Sequence, residues 1–334
     1  MNLAVAIYIM PCTQVHTRAP NSASLFDVSH MGQLRWHGKD AIKFLETLVV
    51  GDLASLKHGE GKLSLIMNEK GGIVDDTVIT NAHGYVYMVV NGACKQKDMA
   101  HFKNYVMSTP LDVSMEYLHT HQLVALQGKG AMEVMKRITP DIDYTKMNFM
   151  TGFDTKIAGN PYISYLLRYS QRSSLGIPGC RITRCGYTGE DGFEISIPEE
   201  HAVTLTMKLL EQPEVKPAGL GARDSLRLEA GLCLYGNDID ENTNPVEANL
   251  VWTIGGPKSR RRLEQGFLGA EHFLEKSGKL KPVARKRVGI SGMKAPARSH
   301  TEIYTADGKT KIGEVTSGGF GPTLGKPMAM VGVQ

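Results

Sequence analysis

The sequence predicts an α+β protein, and three observations carry that reading. Strand-like and helix-like stretches are interleaved irregularly, which disfavours a doubly wound parallel sheet. A polar, glycine-ended connector, Asn68-Glu69-Lys70-Gly71-Gly72, joins two short apolar runs as a hairpin loop would. After Pro282 the pattern changes to short β-like pieces separated by Gly, Pro and Asp turns, the signature of a small all-β module. With 334 residues the chain is long enough for two or three packed units, because single cores rarely grow beyond about 250–300 residues.

The elements follow in order. Residues 1–24 contain no Asp or Glu and a single Arg; they are expected to be an unstructured or unrelated start, with an organellar leader as the alternative. Lys39–Val50 places Ala41, Phe44, Leu45 and Leu48 at helical spacing. Leu63–Met67 and Ile73–Thr80 are the arms of the hairpin, Tyr85–Val90 is a third strand, and Lys97–Met107 is a helix. Asn160–Leu175, rich in Tyr, Ser and Arg but without periodicity, reads as a loop excursion. Cys180–Ile197 is strand-rich, and a helix with a capping-type start covers Ala222–Ala230 before Gly231. The β module contributes Val288–Ser291, Glu302–Tyr304 and Lys311–Thr316. The last residues, Val331-Gly332-Val333-Gln334, sit in an apolar run that would be a sticky edge if unpaired.

Composition excludes several classes. The net charge of +4, with 38 basic residues scattered among 34 acids, gives no nucleic-acid footprint. No apolar run reaches the roughly 18 residues needed to cross a bilayer, so no membrane role is expected. Five cysteines without a C-x-x-C pair suggest neither a disulfide framework nor a zinc site, and fit a reducing compartment. Gly219-Leu220-Gly221 lacks the third glycine of a dinucleotide fingerprint and has no clean preceding strand. Gly319 to Lys326 resembles a phosphate loop, but its glycine spacing is off by one and Pro327 replaces the Ser or Thr that would hold magnesium.

Side-chain alternation puts Asp75 and Asp76 on opposite faces of their strand, so only one can enter a cavity. Asp76 shares its face with Val74 and Val78, the slightly more apolar side. A carboxylate there is costly without donors, which makes Asp76 the better candidate for a functional acid or base. Glu194, between Phe193 and Ile195, reads on its own as a solvated strand residue, and Arg223 as a partner of Asp224 or solvent.

Four segments carry a family resemblance. They are Phe26-Asp27-Val28-Ser29-His30-Met31, Gly71-Gly72-Ile73-Val74-Asp75-Asp76, the run Arg184-Cys185-Gly186-Tyr187-Thr188-Gly189-Glu190-Asp191-Gly192-Phe193-Glu194-Ile195, and Gly221-Ala222-Arg223-Asp224-Ser225-Leu226-Arg227-Leu228-Glu229-Ala230-Gly231. With Pro245-Val246-Glu247 and Ser317-Gly318-Gly319-Phe320, they resemble the T-protein family, the aminomethyltransferases of glycine cleavage, from Leu25 to about Met330. The resemblance implies a three-lobed, folate-binding aminomethyltransferase fold. The divisions are a start over 1–24, a folate-binding region of two α+β lobes over 25–275, and a truncated C-terminal β-barrel module over 280–334.

The resemblance also implies the reaction. An aminomethyl carbon on the lipoyl arm of the H-protein passes to tetrahydrofolate, a substrate here; ammonia is released, 5,10-methylene-tetrahydrofolate forms, and no metal is needed. It implies Asp76 as the catalytic residue, accepting a hydrogen bond from a folate amine. Glu194 would bind folate, since a carboxylate accepts two parallel bonds from an amino-pyrimidine edge. Arg223 would be a ligand of the pterin or of the anionic tail, and Tyr187 a wall of the same site. The location implied is the mitochondrial matrix in a eukaryote, otherwise the cytoplasm.

Departures from the family pattern accompany the match. A G-W-x-x-P-x-x-Y segment before Phe26 and a terminal P-F-V-P-T-x-Y stretch have no counterpart, which points to an incomplete copy. Asn160–Leu175 and Gly256-Pro257-Lys258-Ser259 interrupt the pattern, and the alternative is a non-catalytic folate- or H-protein-binding remnant. Flavin-linked relatives need a G-x-G-x-x-G near the start, and iron–sulfur assembly relatives a K-G-C-Y-x-G-Q-E motif; this chain has neither.

Overall fold

The computed structural model describes residues 17–157 and 176–334. The expected loop Asn160–Leu175 lies outside the described residues. The first elements are β1 (Ala23–Asp27), β2 (Gly32–His37), α1 (Ala41–Leu48), β3 (Gly61–Met67), β4 (Ile73–Ala82), β5 (Tyr85–Val90), α2 (Lys95–Ser108) and β6 (Ser114–Tyr117). Next come β7 (His121–Gln127), α3 (Ala131–Ile138), β8 (Thr151–Ile157), β9 (Ile177–Arg184), β10 (Gly192–Pro198), α4 (Glu199–Leu210), β11 (Val215–Ala218) and α5 (Leu220–Glu229). After short helical turns, β12 (Lys286–Ser291), β13 (Glu302–Tyr304), β14 (Lys311–Gly321) and β15 (Lys326–Val333) end the chain. The class is α+β, as expected. β1 begins at Ala23, inside the span expected to be unstructured, and the Thr17 hydroxyl donates to Ser24 at 2.7 Å.

Two compact units emerge, each discontinuous in sequence. The first takes residues up to His30 and His119–Arg223, the second Met31–Leu118 and Asp224–Gln334. In the first, six strands run in the order β11-β1-β7-β10-β9-β8. β11 is parallel to β1, pairing Ala23 with Val215, and the other neighbours are antiparallel. Ala131, Val134, Met135 and Ile138 form the buried stripe of α3, and Ala202, Leu205 and Leu209 that of α4. Both stripes join Phe193, Ile195 and Ile197 in one core, with spacings of three and four residues that suit a helix packed on a sheet. β11 ends just before Gly219, so a strand does precede that glycine pair, contrary to the sequence reading.

The second unit holds a five-stranded sheet, β3-β4-β5-β2-β6, and a four-stranded one, β12-β15-β14-β13. On α1 the expected stripe Ala41, Phe44, Leu45 and Leu48 is buried against Trp36, Ile79 and Met88. The terminal run is not an exposed edge. β15 pairs with β12 through Val333↔Lys286 and with β14 through Val333↔Gly313, so its backbone groups are used on both sides. The stretch likened to a phosphate loop is the turn between β14 and β15, and its Thr323 N–H donates to the Glu229 carboxylate at 2.9 Å.

Candidate functional site

The charged residues singled out from the sequence fall into two groups, one in each unit. In the second unit the hairpin before β4 is set by Asn68, whose Oδ1 accepts from the Lys70 and Gly72 N–H groups at 3.0 and 2.9 Å. Gly71 has φ +78°, and a Cβ on Gly72 would sit 1.7 Å from the Glu241 carbonyl oxygen, so both positions require glycine. That turn fixes the register in which Asp75 lies opposite Ile66 and Asp76 opposite Leu65.

The two aspartates do take opposite faces, but burial is the reverse of what residue types suggested. Asp75 is fully buried with Ile73, Thr77 and Ile79, whereas Asp76 and Val78 are only partly covered. Valines flank Asp76 along its face, but the sheet covers the Asp75 face more completely. Asn91, just past β5, joins the pair. Its Nδ2 donates to Asp75 Oδ1 at 2.9 Å and to Asp76 Oδ1 at 2.8 Å, and its backbone N–H donates to Asp75 Oδ2 at 2.8 Å. Burial, then the charge of Asp75, push the Asp76 carboxyl up to about 7, against the pull of the Asn91 bond. Burial raises Asp75 too, although Asn91 pulls it back. Asp98, one turn into α2, is pushed up to about 9 by burial and by Asp75. Nearby, the Lys97 ammonium donates to the Tyr235 hydroxyl at 2.6 Å and pairs with Glu241 at 3.1 Å.

In the first unit Gln127, fully buried, organises the run between β9 and β10. Its Nε2 donates to the Cys185 carbonyl at 3.0 Å, and its Oε1 accepts from the Thr188 hydroxyl at 3.1 Å. A Cβ on Gly186 would meet that Oε1 at 2.0 Å, which explains the glycine. The Arg184 fork closes on Asp191 at 2.9 and 2.7 Å. The loop so held presents Tyr187, and the Arg223 guanidinium stands over its ring at 4.8 Å. Arg223 Nη2 is 3.8 Å from Glu194 Oε1, an ion pair without a close hydrogen bond. Among the described residues Arg223 Nη1 is buried without a hydrogen-bond partner. Glu194 is largely covered rather than solvated, its side chain 13% exposed, while Phe193 and Ile195 enter the core behind it. Burial, then the Glu194 charge, raise the Cys185 thiol well above its ordinary value, so it stays an unreactive thiol.

Glu194, Arg223 and Tyr187 thus come together in one unit, and Asp76 belongs to the other. Sequence reasoning missed Asn91, Asp98 and Gln127. For Asn91 the clue lies in the strand register: Thr77 pairs with Val90, the last residue of β5, which leaves the residue just past it beside the aspartates.

Two clusters result: in the second unit an aspartate pushed up to about 7, and in the first an arginine loosely paired with a glutamate beside an aromatic ring. Comparison with known proteins gives the class. The family model described as GCVT N-terminal domain matches residues 10–258, and the glycine cleavage T-protein C-terminal barrel domain matches 285–334. The chain is 47% identical over 326 residues to the mitochondrial aminomethyltransferase of Gallus gallus, covering 96% of this chain and 76% of the relative. It is 46% identical over 323 residues to that of Homo sapiens, covering 95% and 74%. The crystal structure of the glycine cleavage system aminomethyltransferase T from Bartonella henselae superposes with a TM-score of 0.82 at 37% identity, covering 97% of this chain and 82% of that one. The chain belongs to the glycine cleavage T-protein family, and it is an aminomethyltransferase of the glycine cleavage system.

Proposed function

We propose that the enzyme takes the aminomethyl carbon from the lipoyl arm of the H-protein and delivers it to tetrahydrofolate. The carbon–sulfur bond breaks, the sulfur leaves as the dihydrolipoyl thiol, ammonia departs, and the carbon bridges two folate nitrogens as 5,10-methylene-tetrahydrofolate. Asp76 is the base that accepts a proton from a folate amine, and its ionisation near 7 suits a base working at neutral pH. Glu194 and Arg223 hold the folate by polar groups, and Tyr187 gives an aromatic wall. The compartment is the mitochondrial matrix, by analogy with relatives named mitochondrial.

The observation that carries the folate reading is Arg223. A guanidinium whose buried Nη1 is unpaired among the described residues, and whose carboxylate partner is 3.8 Å away, has donors left for a ligand. Measuring methylene-tetrahydrofolate formation and folate Kd for Asp76→Asn and Glu194→Ala tests the roles. Asp76→Asn should lower turnover by roughly 10²–10⁴ with folate affinity little changed. Glu194→Ala should weaken folate binding first, by about 10–100-fold. An Asp76→Asn enzyme with near-normal turnover would make this aspartate structural and overturn the assignment.

A further inference from the structure

Asp98 is a carboxyl held out of water beside Asp75. It is fully buried on α2, and neither of its oxygens receives a donor from the described residues. Its hydrogen-bond neighbour is the Asp75 carboxyl, itself fully buried. Two ionised carboxylates within hydrogen-bond reach and out of water repel strongly, so one of them must carry a proton. The other groups facing the pair decide which. Asp75 already accepts two bonds from Asn91 and one from the Cys94 thiol, all of which favour its anion. Asp98 has only the more distant Lys97 in its favour, with Asp75 and Asp76 both opposing its charge. The proton therefore stays on Asp98 and is donated to Asp75.

We propose that Asp98 is a positioning residue for the aminomethyl transfer: as a neutral acid it keeps Asp75 ionised, and the Asp75 charge, shared through the Asn91 carboxamide, keeps Asp76 basic. The chain of contact is continuous, Asp98 to Asp75 to Asn91 to Asp76, with the last two links at 2.9 and 2.8 Å. A negative neighbour raises the proton affinity of Asp76, and a more basic carboxylate takes a proton from an amine more readily. Without the Asp98 donor, Asp75 competes for the proton, and Asp76 ionises at lower pH as a weaker base. The inference rests on Asp76 being the base.

The test compares Asp98→Ala and Asp98→Asn in the full chain. An asparagine amide replaces the neutral acid as donor to Asp75; alanine does not. Asp98→Ala should lower kcat about tenfold, and should move the acid limb of kcat/KM down by about one pH unit with KM little changed. Asp98→Asn should recover most of the rate and return the limb to its original position. Infrared difference spectra of the folded protein above neutrality give a readout independent of turnover. The carbonyl stretch of a protonated carboxylic acid should be present in the parent and absent in Asp98→Asn. A band that persists in Asp98→Asn, or an unmoved acid limb in Asp98→Ala alongside an inactive Asp76→Asn, overturns the role of Asp98 alone. Near-normal turnover of Asp76→Asn overturns the base as well.

Discussion

Arg223 and Arg227 lie four positions apart in α5, in one continuous motif, yet the structure uses them in opposite ways. Arg227 is 1% exposed and its fork is fully engaged: Asp224 at 2.8 Å, Asp238 at 2.6 Å, the Leu232 carbonyl at 3.0 Å and Ser317 at 2.9 Å. Asp238 in turn accepts from the Thr316 hydroxyl at 2.5 Å. Arg223 has a loose ion pair, a ring beneath it and an Nη1 with no partner among the described residues. Exposure does not separate a structural from a functional charge, because both side chains are covered; hydrogen-bond satisfaction does. A guanidinium whose donors are all taken has nothing left for a ligand, and one left partly unpaired in a covered place costs stability that only function repays.

The comparison can be broken in three ways. Arg227→Ala strands Asp238 as a buried, unpaired charge and should cost about 3–5 kcal/mol of stability, read by denaturant unfolding. A loss under 1 kcal/mol would show that the network is not structural. Arg223→Ala should leave the unfolding midpoint nearly unchanged or slightly raised while folate Kd rises about 10–100-fold; equal effects on stability and binding would erase the distinction. The smallest effect concerns the acids of β4 and α2. Their folded ionisation is raised above the unfolded value, so the folded protein holds protons that the unfolded chain has released. For Asp98 this makes stability decline as pH climbs from the ordinary carboxylate range towards about 9. Asp98→Asn should flatten that decline, so its stability gain over the parent grows with pH; a gain independent of pH would mean that Asp98 is ionised in the fold.

The fold was legible where residues repeat with a period. Tyr85–Val90 and Glu302–Tyr304 appear with the bounds the sequence suggested, and the α1 stripe packs as its spacing required. The stripes of α3 and α4 were equally periodic but went unread, and β14 runs on to Gly321, through glycines that read as turn residues. The motif residues Glu194, Arg223 and Tyr187, marked by the sequence, lie together in the first unit. What could not be read is anything fixed by pairing between distant strands. Which aspartate face is more deeply buried depends on what packs over the sheet, and Asn91, Asp98 and Gln127 acquire their roles only from strand register and helix placement. Arg227, four residues from Arg223, gives no sign of its role in the sequence because its partners Asp238 and Ser317 are distant along the chain.

The discontinuity of the first unit has a kinetic consequence. Its sheet pairs Ala23 in β1 with Val215 in the edge strand β11, so that pairing must close a loop over the whole intervening chain. Closing so long a loop is entropically slow, and the delay grows with the number of free links. The inserted stretch Met31–Leu118 shortens that loop by folding on itself, because β2 pairs with β6 as Leu34↔Tyr117 and the Leu118 N–H donates to the Gln33 carbonyl at 2.9 Å. Once this pairing forms, the two ends of the insertion are held a strand spacing apart, and β1 and β7 are tethered by a few residues instead of a long excursion. The five-stranded sheet is therefore placed to serve as a clasp: if it forms first, the other unit is left with a shorter loop to close.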